Sequence, residues 1–285
     1  MSHAEQAIVF ECGGQQLLGV LSAASALADV GIVIVVGGPQ YRAGSHRQFV
    51  RLSRSFAVAG YPCLRFDCRG MGDSEGDLRS FEAISDDIAA AVGALMSAEP
   101  GLRRVVLWGL CDGASAALLY CHEKADPRVV GLALLNPWVR SESSLARTHV
   151  KHYYRQRLFE RAFWQKMLSG KVAVAALSGF FRSVRASFRE SSVEPDDALP
   201  YPERMARGWA RFDGHKLLLL SEHDYTAREF IEFTSASVAW KRAFATRPAR
   251  RVDLLGADHT CAQAASQIAL EAATVRWLAA DICGH

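Results

Sequence analysis

Cys111 is the residue of this 285-residue chain best placed to act as a nucleophile. It sits in Gly109-Leu110-Cys111-Asp112-Gly113, directly after the apolar run Val105-Val106-Leu107-Trp108 and before the small-residue stretch Ala114 to Leu119. That order predicts a strand, a tight turn and a helix, with the thiol at the apex of the turn. It is the G-x-S-x-G elbow with cysteine standing where serine would be. Such a turn is strained, and only residues as small as Gly109 and Gly113 let strand and helix approach closely enough to form it. The thiol then lies at a helix N-terminus, whose dipole favours thiolate. Free cysteine is also among the most buried residue types, so the turn alone does not establish catalysis.

A thiol nucleophile needs a base, and the base needs an orienting acid. In elbow enzymes the chain order is nucleophile, acid, base. Downstream, the apolar run Lys216-Leu217-Leu218-Leu219-Leu220 leads into Ser221-Glu222-His223-Asp224-Tyr225. Asp224 is the expected acid, at the carboxyl edge of a sheet where ligands bind; Glu222 is the fallback, and a turn-capping role is the competing reading of Asp224. A further run, Arg251-Val252-Asp253-Leu254-Leu255, precedes Gly256-Ala257-Asp258-His259-Thr260 and a final helix over Ala265 to Leu278. His259 is the expected base, because its rival His223 precedes the acid and breaks the order.

Two upstream segments complete the arrangement. Gly31 to Val36 predicts a buried strand ending in Gly37-Gly38-Pro39-Gln40-Tyr41-Arg42. A loop in this place donates one N–H to a tetrahedral oxyanion, and the residue after the nucleophile donates the other. The expected donors are Asp112 and Gly38, because Pro39 has no N–H; Gln40 is the alternative. Each such donor is often worth ~3–4 kcal/mol in the transition state. Asp112, in the first turn of its helix, is expected to complement the dipole with its side chain turned away from Cys111. Arg42, His46 and Gln40 are candidate substrate-binding residues. Arg42 is the first choice for a substrate carboxylate or phosphate, with an ion pair to an acidic residue as its other reading.

The second segment, Gly60-Tyr61-Pro62-Cys63-Leu64-Arg65-Phe66-Asp67-Cys68-Arg69-Gly70-Met71-Gly72-Asp73-Ser74, combines a strand with an Asp-x-Arg-Gly-x-Gly-x-Ser turn. With these residues the chain resembles the α/β-hydrolase superfamily over nearly its whole length outside a middle insertion. The resemblance implies a mostly parallel twisted sheet flanked by helices, with Asp67, Arg69 and Ser74 structural, fixing a loop beside the site. More narrowly, the run from Gly37 to Phe49, together with Gly-Leu-Cys-Asp-Gly and Ser-Glu-His-Asp-Tyr-Thr-Ala-Arg-Glu-Phe, resembles the hydrolases encoded with bacterial exosortase A and exopolysaccharide systems. That family is named by genomic context, which implies no substrate. The Cys-Asp-His set is similar to that of dienelactone hydrolases, in triad type only.

The implied chemistry is hydrolysis of an ester or thioester through an acyl-cysteine, with transfer to an alcohol or amine as the close alternative. A non-catalytic binding protein of the same fold is the reading of a different class. It predicts loss of a triad member or of an elbow glycine, and none is lost.

Composition bounds the rest. Half of the residues are hydrophobic, enough for one α/β domain with an inserted cap. The expected core is 1–137 and 213–285, with a helical cap at 138–212. Tyr154, Leu158, Phe163 and Met167 predict one cap helix, and Leu177, Phe181, Val184 and Phe188 another. Residues 140 to 190 hold eleven Lys or Arg against three Glu, a net of +8 in a chain of net +3. That asymmetry fits a solvated basic helix face, an anionic substrate, or peripheral contact with an anionic membrane. No nucleic-acid-binding motif accompanies it.

The seven cysteines have no paired spacing, so reduced cytoplasmic thiols are expected, with neither a zinc site nor a disulfide framework. The start of the chain lacks a basic and apolar leader. The apolar stretch from Leu17 to Gly38 contains Asp29 and several glycines, and predicts two strands and a turn rather than a membrane span. No cofactor or metal is expected. The sequence leaves the oligomeric state open.

Overall fold

The computed structural model describes residues 4–24, 28–38, 40–139 and 199–284. Within them the apolar runs become β1 (Glu5–Cys12), β2 (Gln15–Ser22), β3 (Val30–Val35), β4 (Cys63–Phe66), β5 (Arg104–Leu110), β6 (Val129–Leu135), β7 (His215–Ser221) and β8 (Arg250–Leu254). They form one sheet in the order β1-β2-β4-β3-β5-β6-β7-β8. The opening hairpin β1–β2 is antiparallel and joins β4 antiparallel, whereas β4, β3, β5, β6, β7 and β8 pair in parallel. This is the doubly covered sheet of an α/β-hydrolase. Parallel strands buried on both faces read as unbroken apolar runs, as β3 and β5 do.

Alternation along each strand divides the core in two. Val33, Val35, Leu107, Leu132, Leu134, Leu218 and Leu220 pack on one face. The helices there are α2 (Ser85–Ala98), α3 (Asp112–Glu123), α4 (Tyr201–Arg211), α5 (Tyr225–Ala236) and α6 (Val238–Thr246). Ile32, Ile34, Val106, Trp108, Leu110, Ala133, Leu217 and Leu219 pack on the other face, under α1 (Gln48–Val58) and α7 (Ala264–Trp277). Where α4, α5 and α6 meet, Trp209, Trp240, Phe230 and Phe244 pack edge to face, with centroids 4.9 Å apart for Trp209 and Phe244. Both indoles are satisfied: Trp209 Nε1 donates to Arg247 O at 2.7 Å and Trp240 Nε1 to Pro202 O at 3.0 Å.

The chain divides into two units, 1–139 with 201–285, and 140–200. Residues 201–211, expected at the end of the insertion, form a core helix instead. Met205 and Trp209, four residues apart, are fully buried, and Gly208 packs against the backbone of α3. Four charged residues, Glu203, Arg204, Arg207 and Arg211, flank that apolar stripe along α4. The rest of the expected insertion, including both cap helices, lies outside the described residues apart from its flanks. No described helix is long and apolar enough to cross a membrane.

A Cβ added at Gly208 would lie 2.0 Å from Leu118 O, so Gly208→Ala must push α4 off α3. The expected cost is about 1–3 kcal/mol, read as a lower urea midpoint. The control is Gly93→Ala in α2, where the added methyl meets only Arg128 Nη1 at 3.8 Å; it should stabilise by about 0.5–1 kcal/mol. Equal effects of the two substitutions would refute the close packing of α4 on α3.

Candidate active site

Cys111 caps α3 with φ 56° and ψ −118°, a strained backbone for a non-glycine residue. The strain is held by close packing around it. A Cβ at Gly109 would lie 2.4 Å from the carbonyl carbon of Gly113, one at Gly113 2.2 Å from Val35 O, and one at Gly37 2.1 Å from Gly113 N. Glycine is therefore required at all three positions. The Cys111 N–H donates to Leu135 O at 2.9 Å, which anchors the elbow to β6.

Asp224 caps α5, its carboxylate accepting the N–H groups of Thr226 at 3.1 Å and Ala227 at 3.2 Å. Oδ2 also faces His259 Nδ1 at 2.9 Å. One side chain thus both caps α5 and bonds His259. Asp224 is buried and His259 is about one-third exposed. The hydrogen bond to Asp224 raises the His259 pKa above its ordinary value, against the opposing effect of burial. Glu222 is committed elsewhere: its Oε2 accepts Gly256 N–H at 2.8 Å. The exposed His223 donates its N–H to Ala257 O at 2.9 Å. Three candidates from three loops therefore gather at the carboxyl edge of β5, β7 and β8.

The Asp112 side chain differs from its expected placement. It turns toward Cys111, whose thiol donates to Oδ1 at 3.4 Å. The space left by Gly38 accommodates it, Oδ2 lying 3.3 Å from where a Cβ at Gly38 would be. Burial first, and then the Asp112 charge, push the Cys111 thiol well above its usual range. Both effects favour the neutral thiol, bonded to Asp112, over the thiolate.

Gly38 itself has φ +61° and adjoins Asp112. The Gln40 N–H donates to Gly38 O at 2.8 Å, so that N–H is already spent. His46 is exposed with φ 53°. Arg42 takes the second of its two readings: it is buried and paired to Asp67, and to Asp73 at 2.8 Å, with its guanidinium 4.3 Å from the Tyr41 ring centroid. A cation held this way fixes the loop after β3, and its role as an anion receptor is not carried forward.

The Asp67 turn is structural, as the resemblance implied. Asp67 accepts the N–H groups of Arg42 at 2.7 Å and Asp73 at 3.1 Å. Ser74 Oγ bonds Asp67 O at 2.7 Å and accepts Leu18 N–H at 2.9 Å. Arg69 pairs with the buried Asp87 through two nitrogens. Asn136, which the sequence did not single out, bonds Ser221 and the His259 carbonyl. No group of three or more potential metal ligands occurs among the described residues.

The Asp112 contact gives a direct expectation. Asp112→Asn removes the charge that disfavours thiolate, and each unit by which a thiol pKa falls multiplies the thiolate fraction about tenfold. Cys111 alkylation by iodoacetamide at neutral pH should accelerate about tenfold, while the buried thiols stay slow. An unchanged rate would mean that burial alone holds the thiol protonated.

Residues 30–191 match the family described as serine aminopeptidase, S33. No curated protein sequence matches the chain. Among solved structures, an esterase of Pyrococcus furiosus, Pf2001, superposes with TM-score 0.65 at 15% identity, over 97% of this chain and 92% of that one. DcsB, solved with a substrate analogue, gives TM-score 0.66 at 15% identity, over 99% and 100%. A dienelactone hydrolase of Anabaena variabilis gives 0.61 at 12%, over 98% of each chain. These likenesses are of fold. The sheet order, the elbow and the family match agree: the chain belongs to the serine aminopeptidase S33 family of α/β-hydrolases.

Proposed function

We propose that this protein hydrolyses an ester or thioester through an acyl-cysteine intermediate, with Cys111 as nucleophile, His259 as base and Asp224 as its orienting acid. The observation that carries the reading is the 2.9 Å bond between His259 Nδ1 and Asp224 Oδ2, formed at the same sheet edge as the strained Cys111 elbow. Because Nδ1 is committed to Asp224, Nε2 is the nitrogen that exchanges protons.

The steps follow from these groups. Nε2 accepts the thiol proton as Sγ attacks the carbonyl carbon, and the tetrahedral oxyanion is held by the N–H groups of Asp112 and Gly38. Asp112 is the first residue of α3, so its N–H has no partner within the helix. The imidazolium then protonates the departing alkoxide or thiolate, leaving a thioester on Cys111. Water, deprotonated by His259, attacks that thioester; the acid departs and the thiol recovers its proton.

Cysteine at the elbow favours activated acyl groups over amides. A thiolate leaves a tetrahedral intermediate more readily than an amide nitrogen does, so an amide adduct reverts unless the amine is protonated first. The resemblance of residues 37–49 to exosortase-linked hydrolases supports a role in exopolysaccharide-linked metabolism without naming the acyl group. The basic excess of residues 140–190 supports an anionic substrate.

Intact-protein mass spectrometry with a panel of p-nitrophenyl esters and acyl thioesters tests the reading. Wild type should gain one acyl mass that decays in water, and Cys111→Ala should gain none. Decay only after adding an alcohol or amine would mark a transferase. An equal adduct on Cys111→Ala, or turnover without Cys111, would refute the mechanism.

His259→Ala should slow acylation about 10²–10⁴-fold. Because Asp224 raises the His259 pKa, activity should rise with pH as His259 loses its proton. In Asp224→Asn that rise should move to lower pH with a reduced plateau; a stationary rise would separate Asp224 from His259 function.

A further inference from the structure

Strand β6 supplies none of the three proposed catalytic residues, yet its carboxyl end is bonded to the loops of all three. Leu135 O accepts the Cys111 N–H at 2.9 Å. Trp138 N–H donates to Ser115 Oγ at 2.9 Å, and the single proton of that hydroxyl has Trp138 O at 2.7 Å and Cys111 O at 3.2 Å as alternative acceptors. Between them stands Asn136, fully buried, with φ +47°. Its own N–H donates to Leu219 O at 3.0 Å. Its side-chain Oδ1 accepts Ser221 N–H at 2.9 Å, and Nδ2 donates to Ser221 Oγ at 3.0 Å and to His259 O at 3.3 Å. Ser221 is three residues before Asp224, and the second acceptor is the backbone of His259 itself.

Two separate requirements meet at this position. A left-handed backbone is readily adopted only by Gly, Asn or Asp. Of these, only Asn offers one acceptor and two donors in a single planar group. Asp would oppose a carboxylate oxygen to the His259 carbonyl, and Gly would leave every partner without its bond. A buried carbonyl or N–H without a partner is costly, so the amide fixes the ends of β6 and β7 relative to the His259 loop.

We propose that Asn136 is a positioning residue of this site, whose amide holds the His259 backbone in register with Asp224 and with the Cys111 elbow. The proposal rests on the Cys111–His259–Asp224 reading for its kinetic consequence and on geometry alone for its effect on the imidazole. Displacing a base by about 1 Å can cost about 100-fold in rate.

The test uses the whole protein with Asn136→Gly and Asn136→Asp, and Cys111→Ala run in parallel. Gly keeps the left-handed backbone and removes all side-chain bonds. Asp keeps the backbone and the acceptor for Ser221 N–H, leaves the Ser221 hydroxyl free to rotate and donate, and sets a carboxylate oxygen against His259 O in place of the bond. With p-nitrophenyl acetate, both variants should acylate on Cys111 with kcat reduced about 10- to 100-fold and KM within about twofold. By NMR titration, the His259 imidazole pKa should fall in Asn136→Gly, because its bond to Asp224 loosens. Folded variants with wild-type kcat and an unmoved imidazole titration would overturn the proposal, whatever their melting temperature. A wild type that never acylates on Cys111 would refute the acyl-cysteine reading, and the imidazole titration would still decide the role of Asn136. If Asn136→Gly does not fold, the kcat of Asn136→Asp decides it.

Discussion

Backbone-to-backbone contact at the elbow is the constraint on which the site depends. The end of β3, the end of β5 and the first turn of α3 meet with no side chain between them, because Gly37, Gly109 and Gly113 have none to interpose. That contact bends the chain at Cys111 into a conformation that costs about 1–3 kcal/mol on its own. It also brings the Gly38 loop beside the N-terminus of α3. The nucleophile, the neighbouring N–H groups and the helix dipole are thereby set by one packing event.

Around this contact, buried carboxylates act as fasteners, each through a different partner. Asp67 ties the loop after β3 to the turn after β4, and Asp87 holds Arg69. Asp224 closes the first turn of α5 and orients His259 with the same two oxygens. Asp112 works in the opposite sense. It stabilises the protonated thiol, while Asp224 makes the imidazole a better proton acceptor. In the proposed mechanism both effects favour a proton transfer from thiol to imidazole that accompanies substrate attack.

The strands were legible in the sequence because parallel, doubly buried strands leave unbroken apolar runs, and the order Cys111, Asp224, His259 followed from where those runs end. Four features were hidden for physical reasons. The direction of the Asp112 side chain depends on space left by Gly38, which is far away in sequence. Arg42 could have faced a ligand or a carboxylate, and only folding brings Asp67 and Asp73 to it. Asn136 carries no catalytic chemistry of its own, and its contacts span 85 and 123 residues. Helix α4 was placed in the insertion because its apolar positions Met205, Ala206 and Trp209 show an amphipathic helix but not its partner, the α3 backbone beside Gly208.

His259 hangs from β8, the outermost strand of the sheet. That strand is five residues long and mostly exposed, with Arg250, Arg251 and Asp253 facing solvent. Charges of this kind discourage edge-to-edge association, but a short edge strand is also where local unfolding is least costly. Amide hydrogens of β8 should exchange with solvent long before those of β3 and β5. The proposed base can then be lost and regained while the elbow stays intact, so heating would silence this molecule below the temperature at which it melts.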